Sequence, residues 1–136
     1  MTDPRTLGLR LGWVIAYVDD PGAASDFYAR TFGFAQEFAS PDNSYAQLDT
    51  GATKLAFATY ALGVGNVPGG VQRAPTSGPP PNVEIVLVTD EVDAAYAHAV
   101  EAGCEALSAP EDKPHGQRVS YVRDPFGTLV EIASPI

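Results

Sequence analysis

Trp13-Val-Ile-Ala-Tyr-Val-Asp-Asp20 decides the fold, because the chain writes a second version of it at Glu84-Ile-Val-Leu-Val-Thr-Asp90-Glu91. Each stretch is a β-branched, apolar run that stops on acidic residues, and each leads into a helix-like pattern. The first pattern ends at Gly33 and the second at Gly103, an offset of 103 − 33 = 70. Each half then reaches an Asp-and-Gly turn before a short apolar strand: Asp49-Thr50-Gly51 in the first, Asp124-Pro125-Phe126-Gly127 in the second. Half of this chain is too short to bury a good core alone, so the two repeats must share one. Two repeats sharing a sheet leave a cleft, where a small molecule can sit.

Working outward, residues 1–9 read as a loose lead-in and 11–18 as the first strand. Asp20 followed by Pro21 is an N-cap with proline in the first helical position. Ala24, Phe27, Tyr28 and Thr31 keep one helical face, and Gly33 stops the helix. Residues 34–38, 44–48 and 54–59 read as strands. Gly63, Gly65, Gly69, Gly70 and five prolines crowd 60–82, which reads as a linker; Gly63-x-Gly65 lacks the context of a phosphate loop. Residues 83–88 read as a strand. Val92, Ala95, Tyr96, Ala99 and Val100 form the inner face of a second helix, and 106–107, 117–123 and 129–133 are further strands. The order is βαβββ twice. The expectation is a single α+β domain over 1–136, with modules at 11–59 and 83–136, forming a curved mixed sheet around a cleft.

Composition narrows the partners. Seventeen acids against eight bases leave a net charge of −9, which argues against nucleic acid and anionic membrane surfaces and toward neutral or cationic ligands. No apolar run approaches the ~20 residues of a membrane span, and the reading is cytoplasmic. Cys104 is the sole cysteine, so neither a disulfide framework nor a cysteine-zinc cluster is available. Following Gly103 at a helix end, it reads as a small buried filler.

Three segments carry a family resemblance: Tyr17-Val-Asp-Asp-Pro-Gly-Ala-Ala-Ser-Asp-Phe-Tyr-Ala-Arg-Thr-Phe-Gly-Phe34, Val92-Asp-Ala-Ala-Tyr-Ala-His-Ala-Val-Glu-Ala-Gly103, and Lys113-Pro-His-Gly-Gln-Arg-Val-Ser-Tyr-Val-Arg-Asp-Pro-Phe-Gly-Thr-Leu-Val-Glu-Ile132. Together they resemble the vicinal oxygen chelate superfamily, which holds glyoxalase I, bleomycin-resistance proteins and extradiol dioxygenases. The resemblance implies four inward-facing metal ligands, usually His, Gln or Glu, from the first and last strands of each module. The matching positions here are Trp13, Ala56, Glu131 and, in the fifth strand, Glu84 or Val83. A one-residue slip exchanges the faces of a strand; the helix match at Glu91 favours Glu84.

Such a ring holds two carboxylates, a tryptophan and an alanine. Divalent metals in these sites want three or four N/O ligands, so no metal set is assigned; Glu131 is the best single candidate and a divalent metal stays open. Two glutamates facing one cavity raise each other's proton affinity, which suits acid–base work on an acidic C–H or the holding of an ammonium or guanidinium group. Trp13, Ile15 and Tyr17 share one strand face, and Ala56, Tyr121 and His115 are further ligand-binding candidates. His98 reads as a surface residue. The two functional expectations are a small-molecule binding protein like the bleomycin-resistance proteins, and an isomerase, lyase or dioxygenase of the glyoxalase type using Glu84 and Glu131. By resemblance, the chain forms a homodimer.

Overall fold

In the computed structural model, which describes residues 1–136, eight strands and three helices follow the order β1 Trp13–Val18, α1 Pro21–Phe32, β2 Ala35–Ala39, β3 Tyr45–Asp49, β4 Lys54–Thr59, α2 Tyr60–Asn66, β5 Glu84–Val88, α3 Val92–Ala102, β6 Glu105–Asp112, β7 Arg118–Arg123 and β8 Leu129–Ala133. Two four-stranded mixed sheets result, ordered β1-β4-β3-β2 and β5-β8-β7-β6. In each, the first strand of the module pairs in parallel with the last, and the other pairings are antiparallel. The repeat read from the sequence is therefore two copies of one α+β unit. β1 and β5 are both edge strands.

Local chemistry sets the elements. Asp20 caps α1 by accepting from the Ala23 N–H, and Gly33 closes it at φ 80°, a left-handed conformation that glycine adopts without a Cβ clash. Ala24, Phe27, Tyr28 and Thr31 are buried on one face of α1. Val18, Leu48, Leu55 and Phe57 of the first sheet join Phe27 and Tyr28 in one core with Val92, Ala99, Val122, Val130 and Ile132 of the second module. Each module thus completes the other's burial. The junction has two contacts of its own: the Phe27 and Phe126 rings meet edge-on at 5.9 Å, and Tyr28 Oη donates to Asp124 Oδ2 at 2.6 Å.

Three expectations need correction. The stretch 60–82 begins with a helix rather than a linker: the Thr59 side chain accepts from the Leu62 N–H, and buried Gly63 lies so close to the Tyr17 ring and Val71 that a Cβ there would come within 3.1 Å of both. β6 runs over eight residues rather than two. It is an edge strand whose register shifts between Ser108 and Glu111, and that irregularity accommodates Pro110, which has no N–H to donate. Val100 is exposed at 36%, because α3 buries only Val92 and Ala99 fully. Cys104 is buried, and burial followed by the charge of Asp124 pushes its thiol up to about 12, which keeps it protonated. No helix is long and apolar enough to cross a membrane.

Candidate functional site

Strand alternation sorts the candidate residues by face. In β1, Val14, Ala16 and Val18 pack into the core, which turns Trp13, Ile15 and Tyr17 to the opposite face. In β5, Ile85 and Leu87 pack on the core and Glu84, Val86 and Val88 turn away. Glu84, not Val83, is therefore the strand residue on the outer face. In β8, Val130 and Ile132 enter the core and Glu131 faces outward. The parallel register sets Ala56 beside Ile15 and Glu131 beside Val86, and Tyr121 of β7 lies directly opposite Glu131.

Two groups form on these faces. On the second sheet, Glu84, Glu131 and Tyr121 share the outer face, with Tyr121 directly opposite Glu131 and Glu84 two residues before Val86, which pairs with Glu131. Glu131 is only 9% exposed. Partial burial, then the hydrogen bond to Glu131 and its charge, raise the proton affinity of Glu84 above the ordinary carboxylate value. Burial and the same two glutamates push the Tyr121 phenol up to about 12, so it stays a neutral donor. Neither Arg118 nor Arg123 neutralises the pair: Arg118 holds Asp93 and Asp112, and Arg123 holds Glu105. The acid pair thus faces outward without a cation.

On the first sheet, Trp13 Nε1 donates to Gln47 Oε1 at 2.8 Å, and Tyr45 Oη donates to the same oxygen at 2.6 Å. Gln47 Nε2 donates to Glu37 Oε2 at 2.8 Å, and Lys54 Nζ reaches Glu37 Oε1 at 3.2 Å and Asp49 Oδ1 at 3.0 Å. Sequence reasoning missed Gln47, Glu37 and Lys54. The alternation Tyr45-x-Gln47-x-Asp49 carries part of the signal, but the register shift between Gln36 and Phe38 that accompanies Glu37 does not show in the sequence.

No hydrogen bond joins the Trp13–Gln47 group to the Glu84–Glu131–Tyr121 group, so these are two separate side-chain groups on two sheets. Ala56 is fully buried and lies under the Trp13 face. Tyr17 packs near Tyr60, with ring centroids 6.4 Å apart, and Tyr60 is covered by the Arg73 guanidinium. His115 is exposed in the turn before β7, with Nε2 2.7 Å from Gln117 Oε1, and has no hydrogen bond to the acid pair. His98 is exposed on α3. At the four positions where the resemblance implies metal ligands, the donors are two carboxylates alone, since the Trp13 N–H is a donor already used and Ala56 has no polar side-chain atom. No group of three His, Cys, Asp or Glu side chains is placed to hold an ion. The donor set does not fit a divalent metal.

Comparison with known proteins now decides the family. The Glyoxalase/Bleomycin resistance protein/Dioxygenase superfamily matches over residues 10–132. The chain belongs to this superfamily. An uncharacterized protein of Mycobacterium bovis is 33% identical over 121 residues, covering 88% of this chain and 79% of that one. The anthracycline biosynthesis protein DnrV of Streptomyces peucetius is 30% identical over 117 residues, covering 86% of this chain and 38% of that longer protein. Among solved structures, a glyoxalase-related enzyme from Fulvimarina pelagi superposes with a TM-score of 0.80 at 23% identity, covering 93% of this chain and 88% of that one. This last likeness is one of fold.

Proposed function

We propose that this superfamily member binds a small organic molecule through its outward sheet faces, with Glu84 and Glu131 as the polar anchor and Trp13, Ile15 and Tyr17 as an apolar, aromatic wall. The observation that carries this reading is the acid pair: two carboxylates on one face, one of them 9% exposed, with no Lys or Arg bound to them. Such a pair favours a ligand that brings positive charge or donates hydrogen bonds. Trp13 at 54%, Ile15 at 42% and Val86 at 45% exposure are a large apolar investment to leave in water. We infer that a second copy covers them in a homodimer, placing the Trp13 face of one chain against the acid pair of the other. A monomeric sedimentation profile would remove that part. The DnrV likeness supports an aromatic ligand.

The test uses proflavine, a planar cationic dye, read by quenching of Trp13, the only tryptophan. Saturable quenching is expected, weakened about ten-fold in Glu131→Gln, as for loss of one charge-assisted contact. The anionic dye anilinonaphthalene sulfonate should bind more weakly. Equal binding of both dyes, unmoved by Glu131→Gln, would contradict the reading. A second reading, acid–base chemistry on an acidic C–H, is favoured by the raised proton affinity of Glu84 and the neutral Tyr121 beside it. Unchanged turnover of a converted substrate in Glu131→Gln would dismiss it.

A further inference from the structure

Residues 1–11 are all exposed, and they hold Leu7 at 57%, Leu9 at 84% and Leu11 at 69% exposure. These leucines alternate with Gly8, Arg10 and Gly12, which is the period of a strand, yet β1 begins only at Trp13. The base of this arm is fixed. Thr53 Oγ1 donates to the Leu11 carbonyl at 3.0 Å, and the Lys54 N–H donates to the Gly12 carbonyl at 2.9 Å. The arm therefore leaves the first sheet in line with β1 and does not fold over its own chain. An apolar arm with a strand's pattern is a liability when left in water.

Charge says where the arm goes. Of the eight Lys and Arg side chains, six hold a carboxylate and Arg30 lies over the Phe27 ring. Arg10 alone has neither kind of partner. Glu84 and Glu131 are the converse, an acid pair that holds no cation. Glu84 lies on β5, a five-residue edge strand with one row of backbone groups unpaired. Outward lie Glu84, Val86 and Val88; on the other face, Ile85 and Leu87 pack on the core. A largely apolar trough of about 730 Å³ follows this free edge and touches both faces. A strand added to the edge sends alternate side chains to the two faces. With Arg10 beside Glu84, Leu9 and Leu11 point to the Ile85 and Leu87 side. A slip of one residue would set leucines against the acids and the arginine among apolar groups. Leu7 to Leu11 is five residues, the length of β5.

We propose that the arm at residues 7–11 of one chain adds to the free β5 edge of a second copy, bringing Arg10 to Glu84 and Glu131 of that copy and Leu9 and Leu11 into its apolar trough. The exchange is reciprocal, as a two-fold dimer requires. It rests on the homodimer inferred above and names the contact that holds it. It also makes Arg10 the built-in counter-ion that a cationic ligand must displace.

The test is sedimentation of the intact protein, with proflavine titration alongside. Leu9 and Arg10 are exposed in the single chain, so their substitution should spare the fold. The parent should sediment as a dimer. Arg10→Glu and Leu9→Ser should each raise the dimer dissociation constant about ten-fold or more. Mixing Arg10→Glu chains with Glu84→Arg chains should restore dimers that neither forms alone, a rescue that misfolded chains cannot give. Proflavine should bind Arg10→Gln about three- to ten-fold more tightly, because its competitor is gone. A dimer indifferent to Arg10→Glu and Leu9→Ser, no rescue on mixing, or proflavine binding that responds to Glu131→Gln but not to Arg10→Gln would each overturn the arm contact and leave the homodimer standing. A monomeric parent would remove both. Proflavine binding indifferent to Glu131→Gln counts against the ligand reading instead, and the dimer measurements then decide the arm.

Discussion

Asp124→Ala is expected to cost the fold about 3–5 kcal/mol, the range for removing one partner from a buried charged network. Asp124 is 3% exposed. One oxygen accepts the Tyr28 hydroxyl, and the other accepts the backbone N–H groups of Phe126 and Thr128, both at 2.9 Å. Alanine would strand all three donors, two of them at the turn that leads into β8 and one in α1 of the other module. Against a total stability of ~5–15 kcal/mol for a domain of ordinary stability, this is a large share. Tyr28→Phe should cost less, about 1–2 kcal/mol, because Asp124 keeps its turn hydrogen bonds. Urea denaturation followed by circular dichroism measures both. An Asp124→Ala loss under about 1 kcal/mol would show that the modules are joined by apolar packing alone.

The pH dependence at Asp124 has a defined sign. Burial raises its proton affinity in the folded chain, and its hydrogen bonds oppose that only in part. Between the unfolded carboxylate value and the raised folded one, the folded chain binds the extra proton, so this residue's contribution to stability falls as pH rises through that window. Asp124→Asn should remove that slope.

Arg123→Ala is the second large effect, expected at about 2–4 kcal/mol and accompanied by release of the segment after α2. The Arg123 side chain is 3% exposed; its Nε donates to Glu105 at 2.8 Å, one terminal nitrogen to the Pro75 carbonyl at 2.8 Å, and the other to the Gly78 carbonyl. Gly127, at φ 101°, lets the same segment approach closely: a Cβ there would come within 2.7 Å of Ala74. The other charged anchor, Arg73 on Asp19, is exposed on both sides and is worth at most about 1 kcal/mol. Limited proteolysis should therefore cut Arg123→Ala between Gly69 and Gly78 well before the parent protein. Equal cutting rates would show that α2 alone holds the segment.

Much of the fold was readable because period-two alternation is explicit in the strands that carry it. Trp13-x-Ile15-x-Tyr17 and Glu84-x-Val86-x-Val88 read as one face each, and the Asp20-Pro21 cap marks the first helix start. α2 was hidden because its stability is tertiary: without the Tyr17 ring and Val71 around Gly63, the sequence has only the look of a glycine-rich connection. β6 extends beyond the short apolar pair Ala106-Leu107 because an edge strand tolerates Pro110 where a central one would not. At the site, the resemblance singles out Glu131 and leaves Glu84 or Val83 open, because only the parallel pairing of β5 with β8 fixes which residue shares the Glu131 face. The Gln47–Glu37–Lys54 chain depends on a strand irregularity, and the separation of the two side-chain groups depends on how the modules dock, which no local pattern encodes.

The proposed ligand is held by two carboxylates rather than by a metal ion. Calorimetric titration of the purified protein with Ni²⁺, Co²⁺, Mn²⁺, Fe²⁺ and Zn²⁺ tests it most directly, with Glu131→Ala alongside. The predicted result is no stoichiometric binding at micromolar concentrations for any of the five ions, in either protein. One ion bound per chain, and lost in Glu131→Ala, would contradict the account and show that further ligands reach Glu131 in the assembled protein.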